Sequence, residues 1–404
     1  MATTVDTQVA IIGAGPAGLV LSHLLDAAGI ESIVLERHDR THVEQRVRAG
    51  VLEAPTVDLL RSLDLARRLD AEGMAHRGVE LAFAGRRHRL DFIDLVGASI
   101  TVYGQQEVVK DLIAARLAAG HPIVFTVQDT TITDLDTDHP TVSYRHDGEQ
   151  YQVRSQVVAG CDGFHGISRP SIPGLTLLER DYPFGWLGVL AEAPPTQDEL
   201  VYAAHDRGFA LYSMRSPTVT RLYLQVPAGT DLDDWPDDRI WDELDRRLPT
   251  DDGFKLATGP IIERGITGLR SAVAPVMQYR RLLLAGDAAH IVPPTGAKGM
   301  NLAVADAAVM APLLDAALNH GRWSALDAYT ELCLRRVWRT QHFSWRMTTM
   351  LHRLGHDPFQ RQLQLAELTE VTGNREAAIV LARNYVGLPF GPVDPGGVRI
   401  GGRR

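Results

Sequence analysis

The sequence predicts an α/β protein that combines a Rossmann-like dinucleotide-binding domain, an inserted and mostly antiparallel β-sheet domain, and a C-terminal helical region. Three observations predict this fold class. A strand, a glycine-rich turn, a helix and a second strand ending in an acid open the chain. Longer strands that carry aromatic residues run from Tyr182 to about Thr267, and helices rich in Arg, Trp and Leu follow Gly321.

The N-terminal motif has the order of a dinucleotide-binding unit. Its strands and helix are predicted over residues 8–12, 32–35 and 16–28, and its glycines are Gly13, Gly15 and Gly18. In such a unit the first glycine permits a tight turn, the second lets a pyrophosphate approach the backbone, and the third lets the helix pack on the strand. Glu36 ends the second strand, where a carboxylate accepts hydrogen bonds from a ribose diol. These parts predict an adenine dinucleotide as ligand.

The elements that follow are predicted from hydrophobic periodicity and turn residues. Helices are predicted over 37–48, 56–70 and 107–119, a hairpin over 79–83 and 88–92, and strands of a small meander over 124–132, 141–144 and 151–158. The last strand leads into Cys161-Asp162-Gly163, and an apolar strand over 282–285 returns the chain to the first domain. The dinucleotide-binding domain is accordingly placed at 1–72, 98–180 and 270–320, the sheet domain at 73–97 and 181–269, the C-terminal helical region at 321–390, and a flexible tail at 391–404.

Composition excludes several classes of protein. The chain has 404 residues, a formal net charge of −9 and no basic tract, so nucleic acid is not an expected partner. No apolar run approaches the roughly 20 residues that span a bilayer, and no signal peptide precedes the first strand. Cys161 and Cys333 cannot form a disulfide framework, and the scattered histidines do not have metal-ligand spacing. A soluble, cytoplasmic protein without a metal is expected.

The loop over residues 286–301 connects the returning strand to a long apolar helix. It contains Asp287, Pro294 and three glycines, the last of which opens the helix. Unpaired N–H groups and the positive dipole end of a helix suit an anionic ligand. Taken alone, the segment is equally consistent with an ordinary strand–loop–helix junction.

Residues 209–226 are predicted to form a hairpin that turns at 216–218. Alternation places Ser213 and Arg215 on one face of the first strand, and Arg221 and Tyr223 on one face of the second. If the two faces coincide, a hydroxyl, a guanidinium and a phenol together suit a carboxylate. The alternative is a solvated sheet face, which is the commoner origin of alternating polar residues.

Three glycine–acid motifs, GAGPAG, Cys161-Asp162-Gly163 and Gly286-Asp287, together resemble those of the flavoprotein aromatic hydroxylases, the single-component monooxygenases that bind FAD. Further segments resemble the hydroxybenzoate-hydroxylating branch of that family and cover the chain up to Pro389. They are RAGVLE (48–53), YGQ (103–105), AGCDGFHGISR (159–169), YPFGWLG (182–188), GDAAHIVPPTGAKG (286–299) and NYVGLP (384–389).

The resemblance implies that the first domain binds FAD and that NADPH or NADH reduces it. It further implies that O2 reacts through a flavin C4a-hydroperoxide and that 4-hydroxybenzoate is converted to 3,4-dihydroxybenzoate in the degradation of aromatic compounds. A homodimer is implied as well. The alternatives are the same chemistry on another phenolic or amino benzoate, and a non-catalytic protein that holds FAD.

Residue roles also follow from the resemblance. It assigns FAD binding to Gly13, Gly15, Gly18, Glu36, Arg46, Arg48, Gln105, Asp162, Asp287, Gly299, Met300 and Asn301. It assigns the substrate carboxylate to Ser213, Arg215 and Tyr223, and a place between substrate and flavin to Arg221. Tyr202 and the Pro294 carbonyl are expected at the substrate phenol, whose proton passes through Tyr385 to His76 and solvent. Without the resemblance, the favoured interpretation is that the two tyrosines belong to a core and that the histidine lies on the surface.

The nicotinamide cofactor has no second GxGxxG motif in this sequence. The resemblance places it at Arg48, His165 and Arg169, and assigns its selection to the segment 38–42. A 2′-phosphate favours cations, which Arg37, Arg40 and Arg46 supply, whereas Asp39 and Glu44 oppose it. NADPH and NADH both remain open.

Overall fold

The computed structural model describes residues 3–46, 50–355 and 357–390. Its strands are, in chain order, β1 Thr3–Asp6, β2 Val9–Ile12, β3 Ser32–Leu35, β4 Val51–Leu52, β5 Met74–His76, β6 Gly78–Phe83, β7 Arg86–Asp91, β8 Ile100–Val102, β9 Ile123–Val124, β10 Gln128–Thr133, β11 Thr141–His146, β12 Glu149–Arg154, β13 Val157–Gly160, β14 Leu178–Ala191, β15 Val201–His205, β16 Gly208–Ser216, β17 Val219–Pro227, β18 Ile261–Val273, β19 Gln278–Tyr279, β20 Leu282–Leu284 and β21 His290–Ile291.

The helices follow the same order. They are α1 Pro16–Ala27, α2 Arg40–Gln45, α3 Ala54–Ser62, α4 Arg67–Glu72, α5 Phe92–Val96, α6 Gln105–Ala118, α7 Asp237–Arg247, α8 Gly299–Leu318, α9 Tyr329–Leu351, α10 Pro358–Gly373 and α11 Arg375–Val386. Two short 3-10 turns, Gly286–Ala288 and Pro294–Gly296, lie in the loop between β20 and α8.

A six-stranded sheet in the order β19-β20-β13-β2-β3-β9 forms the first layer of the fold. All of its pairs are parallel except β19 with β20. Strands β2, β13 and β20 are buried along their whole length, as parallel strands covered by other elements on both faces are. The predicted Rossmann-like α/β class is therefore confirmed.

An eight-stranded sheet in the order β21-β18-β14-β17-β16-β15-β6-β7 forms the second layer. Its pairs are antiparallel except β15 with β6. On one face Leu222 and Leu224 share a buried cluster with Ile240 and Leu244 of α7, a helix that was not predicted. The other face carries aromatic residues and shares its cluster with the C-terminal helices. One face of the sheet is therefore covered by α7, and the other lies against the C-terminal helices.

Several predicted elements are wrong in extent. The helix over 56–70 is divided into α3 and α4, and Asp64 between them has φ +58°. The strand over 124–132 is divided between two sheets around Thr126, whose φ is +59°. The strand over 151–158 likewise divides into β12 and β13, which belong to different sheets. Left-handed backbone at a residue other than glycine breaks an element without a signal in the hydrophobic pattern.

The helix predicted over 37–48 begins only at Arg40, because the Asp39 side chain accepts the His42 N–H at 2.8 Å and caps it. Its last two predicted residues, 47 and 48, lie outside the described residues, as does the predicted tail at 391–404. The domain boundaries stay predictions.

Helix α8 is long and apolar enough to cross a membrane by composition, with a mean hydropathy of 1.4, although no such run was expected. Of that stretch, 72% is buried inside the protein. Because α1 and α9 pack against it, its hydrophobicity is explained by its place in the core.

Candidate active site

The glycines of the N-terminal turn have different surroundings. A Cβ on Gly13, whose φ is +106°, would lie 2.3 Å from the Cys161 carbonyl oxygen, and a Cβ on Gly18 would lie 2.1 Å from the Gly13 carbonyl oxygen. Around Gly15, in contrast, a Cβ would meet no atom within 4 Å. Two glycines are thus required for close packing, and the middle one leaves open space beside exposed backbone. This geometry fits a bound pyrophosphate.

The three predicted cofactor carboxylates differ in what they already bind. Glu36 is buried and accepts the N–H groups of Ala14 at 2.8 Å and His38 at 2.9 Å. Asp162 accepts the N–H and the hydroxyl of Ser168, both at 2.9 Å. Burial raises the pKa of its carboxyl, although these hydrogen bonds act to lower that pKa. Asp287 is exposed on the 3-10 turn Gly286–Ala288. Asp287 is therefore the carboxylate best placed for a new ligand, while Glu36 and Asp162 also hold their own loops.

Helix α8 begins at Gly299, so Gly299, Met300 and Asn301 are its first three residues, and their N–H groups have no partner within the helix. A Cβ on Gly299 would meet nothing within 4 Å, which leaves this helix end open to a ligand. The Asn301 side chain accepts the Glu53 N–H at 2.9 Å and donates to the Val51 carbonyl at 2.8 Å. Gln105 begins helix α6 and is partly buried.

A buried ion pair at this helix end was not predicted. Lys298 Nζ lies 2.6 Å from Glu53 Oε1 and donates to the Tyr385 carbonyl at 2.8 Å. Burial lowers the pKa of Lys298, although the charge of Glu53 opposes that shift. Removing either partner would leave the other charge buried and uncompensated, which is strongly destabilising. Their signal was a lysine and a glutamate inside GAKG and RAGVLE, two of the quoted segments.

The two polar faces of the 209–226 hairpin coincide. Ser213 pairs with Arg221, and Leu211 pairs with both Tyr223 and Tyr202 in the register of β15, β16 and β17. Ser213 and Leu211 are buried, whereas Arg221 and Tyr223 are partly buried. The alternative of a solvated sheet face is therefore wrong. Tyr202 and Tyr223 stand at opposite ends of one row across three strands, about 10 Å apart at the backbone.

The two arginines of this face differ in their partners. Arg221 is paired with Glu263 at 3.2 Å, and its guanidinium lies 5.2 Å from the centroid of the Tyr223 ring. In both arginines Nε is shielded from solvent and has no hydrogen-bond partner among the residues described. Arg215 differs in that none of their carboxylates lies within 4.0 Å of its guanidinium, which contacts the phenol of Tyr223 instead. Burial lowers the pKa of Arg215, and the positive charge of Arg221 adds to this. A shielded cation without an acid favours an anionic ligand.

Ser213 and Pro294 are engaged within the protein. The Ser213 hydroxyl donates its one proton to the Arg221 carbonyl at 3.0 Å. This hydrogen bond would have to break before the hydroxyl could donate to a substrate carboxylate. The half-buried Pro294 accepts the Ala297 N–H on its carbonyl at 2.9 Å and closes a turn there. That oxygen keeps a second lone pair for a further donor.

Two tyrosine hydroxyls meet at the other end of the row. Tyr202 Oη and Tyr385 Oη are 2.5 Å apart, and both side chains are 1% exposed. Burial raises the pKa of both phenols, so each keeps its proton at neutral pH. Hydroxyls can donate and accept at once, so the pair can pass a proton along without holding a negative charge.

His76 is buried rather than on the surface, and both its ring nitrogens lack a hydrogen-bond partner among the described residues. Burial lowers its pKa to about 4, although Glu199 and Asp198 oppose the shift. At neutral pH the ring is therefore uncharged in the folded protein. Because neither nitrogen bonds a described residue, a link from Tyr385 to His76 would need intervening water.

A second buried histidine, His352, stacks on Phe209 with ring centroids 4.2 Å apart. It accepts the Trp186 indole N–H on Nε2 at 2.6 Å, and its Nδ1 lies 3.0 Å from the Thr348 carbonyl, which fixes the neutral tautomer. Burial lowers its pKa to about 3. Protonation would break the bond from the indole.

These two histidines predict a loss of stability in mild acid. Their unfolded pKa of 6.5 exceeds the folded values of about 4 and about 3. Between these pH values the unfolded chain binds more protons, so the free energy of unfolding falls as pH falls below 6.5, by on the order of a few kcal/mol. Urea unfolding at neutral pH and near pH 4.5 measures this. His352→Gln should flatten the dependence, whereas the exposed His320→Gln should not; equal slopes in both variants would contradict the account.

Two of the three predicted nicotinamide residues, His165 and Arg169, lie beside Phe164. Arg169 donates to the Phe164 carbonyl at 2.6 Å with its guanidinium 4.3 Å from that ring centroid, and His165 is exposed. Arg270 lies 3.7 Å from the same centroid and was not predicted, since it comes from the distant strand β18. Arg48 lies outside the described residues.

A separate surface cleft is lined by Arg37, His38, His42, Gln45 and Arg46. The two histidine rings stack 4.1 Å apart, and Arg40 is paired with Glu44 at 2.6 Å. Of the two carboxylates expected to disfavour a 2′-phosphate, Glu44 is thereby paired with a cation, and Asp39 caps α2.

Comparisons with known proteins identify the family of the chain. The FAD binding domain family matches residues 6–344. The chain is 46% identical to p-hydroxybenzoate hydroxylase of Acinetobacter baylyi over 391 residues, which are 96% of each protein. It is 27% identical to a probable NADH-specific resorcinol 4-hydroxylase of Rhodococcus jostii over 80% of this chain and 61% of that protein. The structure of p-nitrophenol 4-monooxygenase from Pseudomonas putida matches with a TM-score of 0.77 over 95% of this chain and 98% of that one, at 20% identity, which shows a shared fold.

Proposed function

The chain belongs to the FAD-binding family of flavoprotein aromatic hydroxylases, and on that premise we propose that it hydroxylates 4-hydroxybenzoate to 3,4-dihydroxybenzoate. NADPH or NADH and O2 are the co-substrates. The relative with 46% identity is named for p-hydroxybenzoate, and the similarity extends over 96% of both chains. Bound FAD supplies electron transfer from the nicotinamide and activation of O2.

The observation that supports this substrate most strongly is the row across β15, β16 and β17. Beside Tyr223, at one end of this row, lies Arg215, a shielded guanidinium with no acidic partner among the described residues, which can bind a carboxylate through two parallel hydrogen bonds. The other end provides Tyr202, whose hydroxyl can accept a phenolic O–H. A benzoate with a hydroxyl in the para position presents these two groups at opposite ends of one ring.

The proton of the substrate phenol has a defined first acceptor in this proposal. Tyr202 Oη accepts it while donating its own proton to Tyr385 Oη, and the raised pKa of both tyrosines prevents either from remaining ionised. Loss of that proton makes the ring electron-rich, which favours attack by an electrophilic oxygen. Burial of the pair excludes bulk water from the transfer. Tyr385 in turn releases its own hydroxyl proton, and an intervening water would carry that proton to His76.

FAD is proposed to contact the open backbone at Gly15, the exposed Asp287 and the N–H groups that open α8. Negative charge on the flavin pyrimidine would face the positive end of that helix. Gly13, Gly18, Glu36, Arg46, Arg48, Gln105 and Asp162 complete the proposed FAD contacts, and Arg48, His165 and Arg169 those to the nicotinamide.

Oxidation of NADPH or NADH with and without substrate tests the function. We expect 4-hydroxybenzoate to stimulate oxidation and to yield one 3,4-dihydroxybenzoate per NAD(P)H, identified by chromatography. Benzoate, which retains the carboxylate and lacks the phenol, is the control and should give no catechol. Faster turnover of an aminobenzoate or dihydroxybenzoate than of 4-hydroxybenzoate would indicate that this compound is the substrate. No stimulation by any of them would indicate a protein that holds FAD without turnover.

A cytoplasmic homodimer is part of the proposal. Among the described residues, four large apolar side chains of helices α9 and α10 are exposed, namely Trp338, Trp345, Phe359 and Leu363. Phe359, at 71% exposure, and Leu363 are four residues apart on α10 and share one helix face. Exposed apolar patches of this kind mark association surfaces. A monomeric mass in light scattering would contradict the dimer.

A further inference from the structure

We propose that Asp306 and His290 form a positioning pair that fixes the loop carrying Asp287 and thereby sets the affinity for FAD. The inference rests on the proposed contact between Asp287 and FAD. Neither residue was predicted as part of the site, and neither touches the surface, since His290 is 3% and Asp306 1% exposed. Their role is to act through Asp287, not to contact a ligand.

Asp306 binds both ends of a five-residue loop. Its Oδ2 accepts the Gly286 N–H at 2.9 Å and lies 2.6 Å from His290 Nε2. Asp287 lies between these two anchors and is exposed, in the 3-10 turn Gly286–Ala288 that the Ala289 N–H closes on the Gly286 carbonyl at 2.8 Å. One carboxylate oxygen in the middle of α8 thus fixes where the exposed carboxylate stands.

The loop has little freedom to find this position in another way. Gly286 has φ +63°, and a Cβ there would lie 3.1 Å from the Ala303 Cβ and 3.3 Å from the Ala17 Cβ. The turn is therefore pressed between α1 and α8, with Asp306 three residues beyond Ala303 on the latter helix. On its far side the Ala274 N–H donates to the Ala289 carbonyl at 2.7 Å. Packing holds the loop against the helices, and Asp306 supplies the polar anchor.

The contact with Asp306 favours the protonated form of His290. Burial alone would lower the pKa of His290, but the charge and hydrogen bond of Asp306 outweigh it and raise that pKa, with a further contribution from Asp287. The Asp306 carboxylate therefore stabilises the protonated form of His290 at the end of the loop that carries Asp287. Removing the charge from Asp306 while keeping its shape is then the informative substitution.

The experiment measures FAD binding to the apoenzyme of Asp306→Asn by flavin fluorescence titration. Asparagine can still accept the Gly286 N–H, but it cannot stabilise a protonated His290, so we expect the Kd for FAD to rise about tenfold. Asp315→Asn is the matched control, because Asp315 lies on the same helix beside His320 at 3.6 Å but on the surface. Its Kd should stay within about twofold of the parent value. An unchanged Kd in Asp306→Asn overturns the proposal.

A double-mutant cycle with Asp287→Asn separates positioning from general loosening of the fold. If Asp306 acts through Asp287, its substitution should change the Kd less than about twofold once Asp287 is already replaced. Additive effects overturn the positioning role, even if both single variants bind FAD weakly. If Asp287→Asn alone leaves the Kd unchanged, the proposed FAD contact is wrong and the positioning role falls with it. His290→Gln provides the same cycle should Asp306→Asn fail to fold.

Discussion

Replacing Arg215 with alanine is expected to raise the KM for 4-hydroxybenzoate by about 100-fold or more, with a much smaller change in kcat. Truncating one partner of a buried charge pair costs about 2–5 kcal/mol, and each 1.4 kcal/mol corresponds to about tenfold. Arg215 Nε is shielded and without a partner among the described residues, so the substrate carboxylate would be its main counter-charge. Steady-state kinetics with 4-hydroxybenzoate as the varied substrate gives the value.

Two further variants make this result specific. Arg215→Lys keeps the charge but not the two-pronged donor geometry, so its KM should lie between those of the parent and of the alanine variant. Arg264→Ala removes an arginine of strand β18 in the same sheet, which is paired with Asp237 of helix α7, and it should leave KM within about twofold. An unchanged KM in Arg215→Ala would remove the carboxylate-binding role from this residue.

Replacing Tyr202 with phenylalanine is expected to slow hydroxylation by about 10²-fold or more while FAD remains bound. The variant lacks the hydroxyl that lies 2.5 Å from Tyr385 Oη, so the substrate phenol loses its proton acceptor. NAD(P)H consumption should continue and release hydrogen peroxide in place of product. The ratio of 3,4-dihydroxybenzoate formed to NAD(P)H consumed measures this, together with the peroxide released.

The control for this variant is Tyr212→Phe. Tyr212 is also fully buried on the neighbouring strand, but it packs on the opposite face of the sheet, where its hydroxyl accepts the Thr196 N–H at 2.6 Å. It should lose about 1 kcal/mol of stability and keep the ratio of product to NAD(P)H. A ratio near one in Tyr202→Phe would contradict the proton route.

The dinucleotide-binding unit was predictable because its determinants are local. Turn, helix start and strand are set within about 30 residues by glycine positions and hydrophobic runs, and the structure places them where the pattern did. The predicted extent of an element was wrong where the chain passes from one sheet to another or turns through a left-handed residue, as at Thr126 and Asp64. Helix α7 was missed although its apolar residues recur every four positions.

The substrate-binding residues were predictable only with the family resemblance. Strand alternation grouped Ser213 with Arg215 and Arg221 with Tyr223, but it left open whether the two groups share a face. The register Ser213–Arg221 settles that question for the structure, and burial removes the solvated alternative. The roles of these residues in binding stay predictions.

By itself, the sequence determined the fold class, the cofactor-binding turn and the residue types available for a phenolic acid. Only the tertiary structure decided which of these groups meet and how exposed they are. It joins Tyr202 to Tyr385 across 183 positions and Lys298 to Glu53 across 245, and it buries His76 and leaves Asp287 exposed. Hydrophobic periodicity acts over a few residues, whereas these contacts depend on how separate layers pack, and pKa shifts depend on the burial that packing produces.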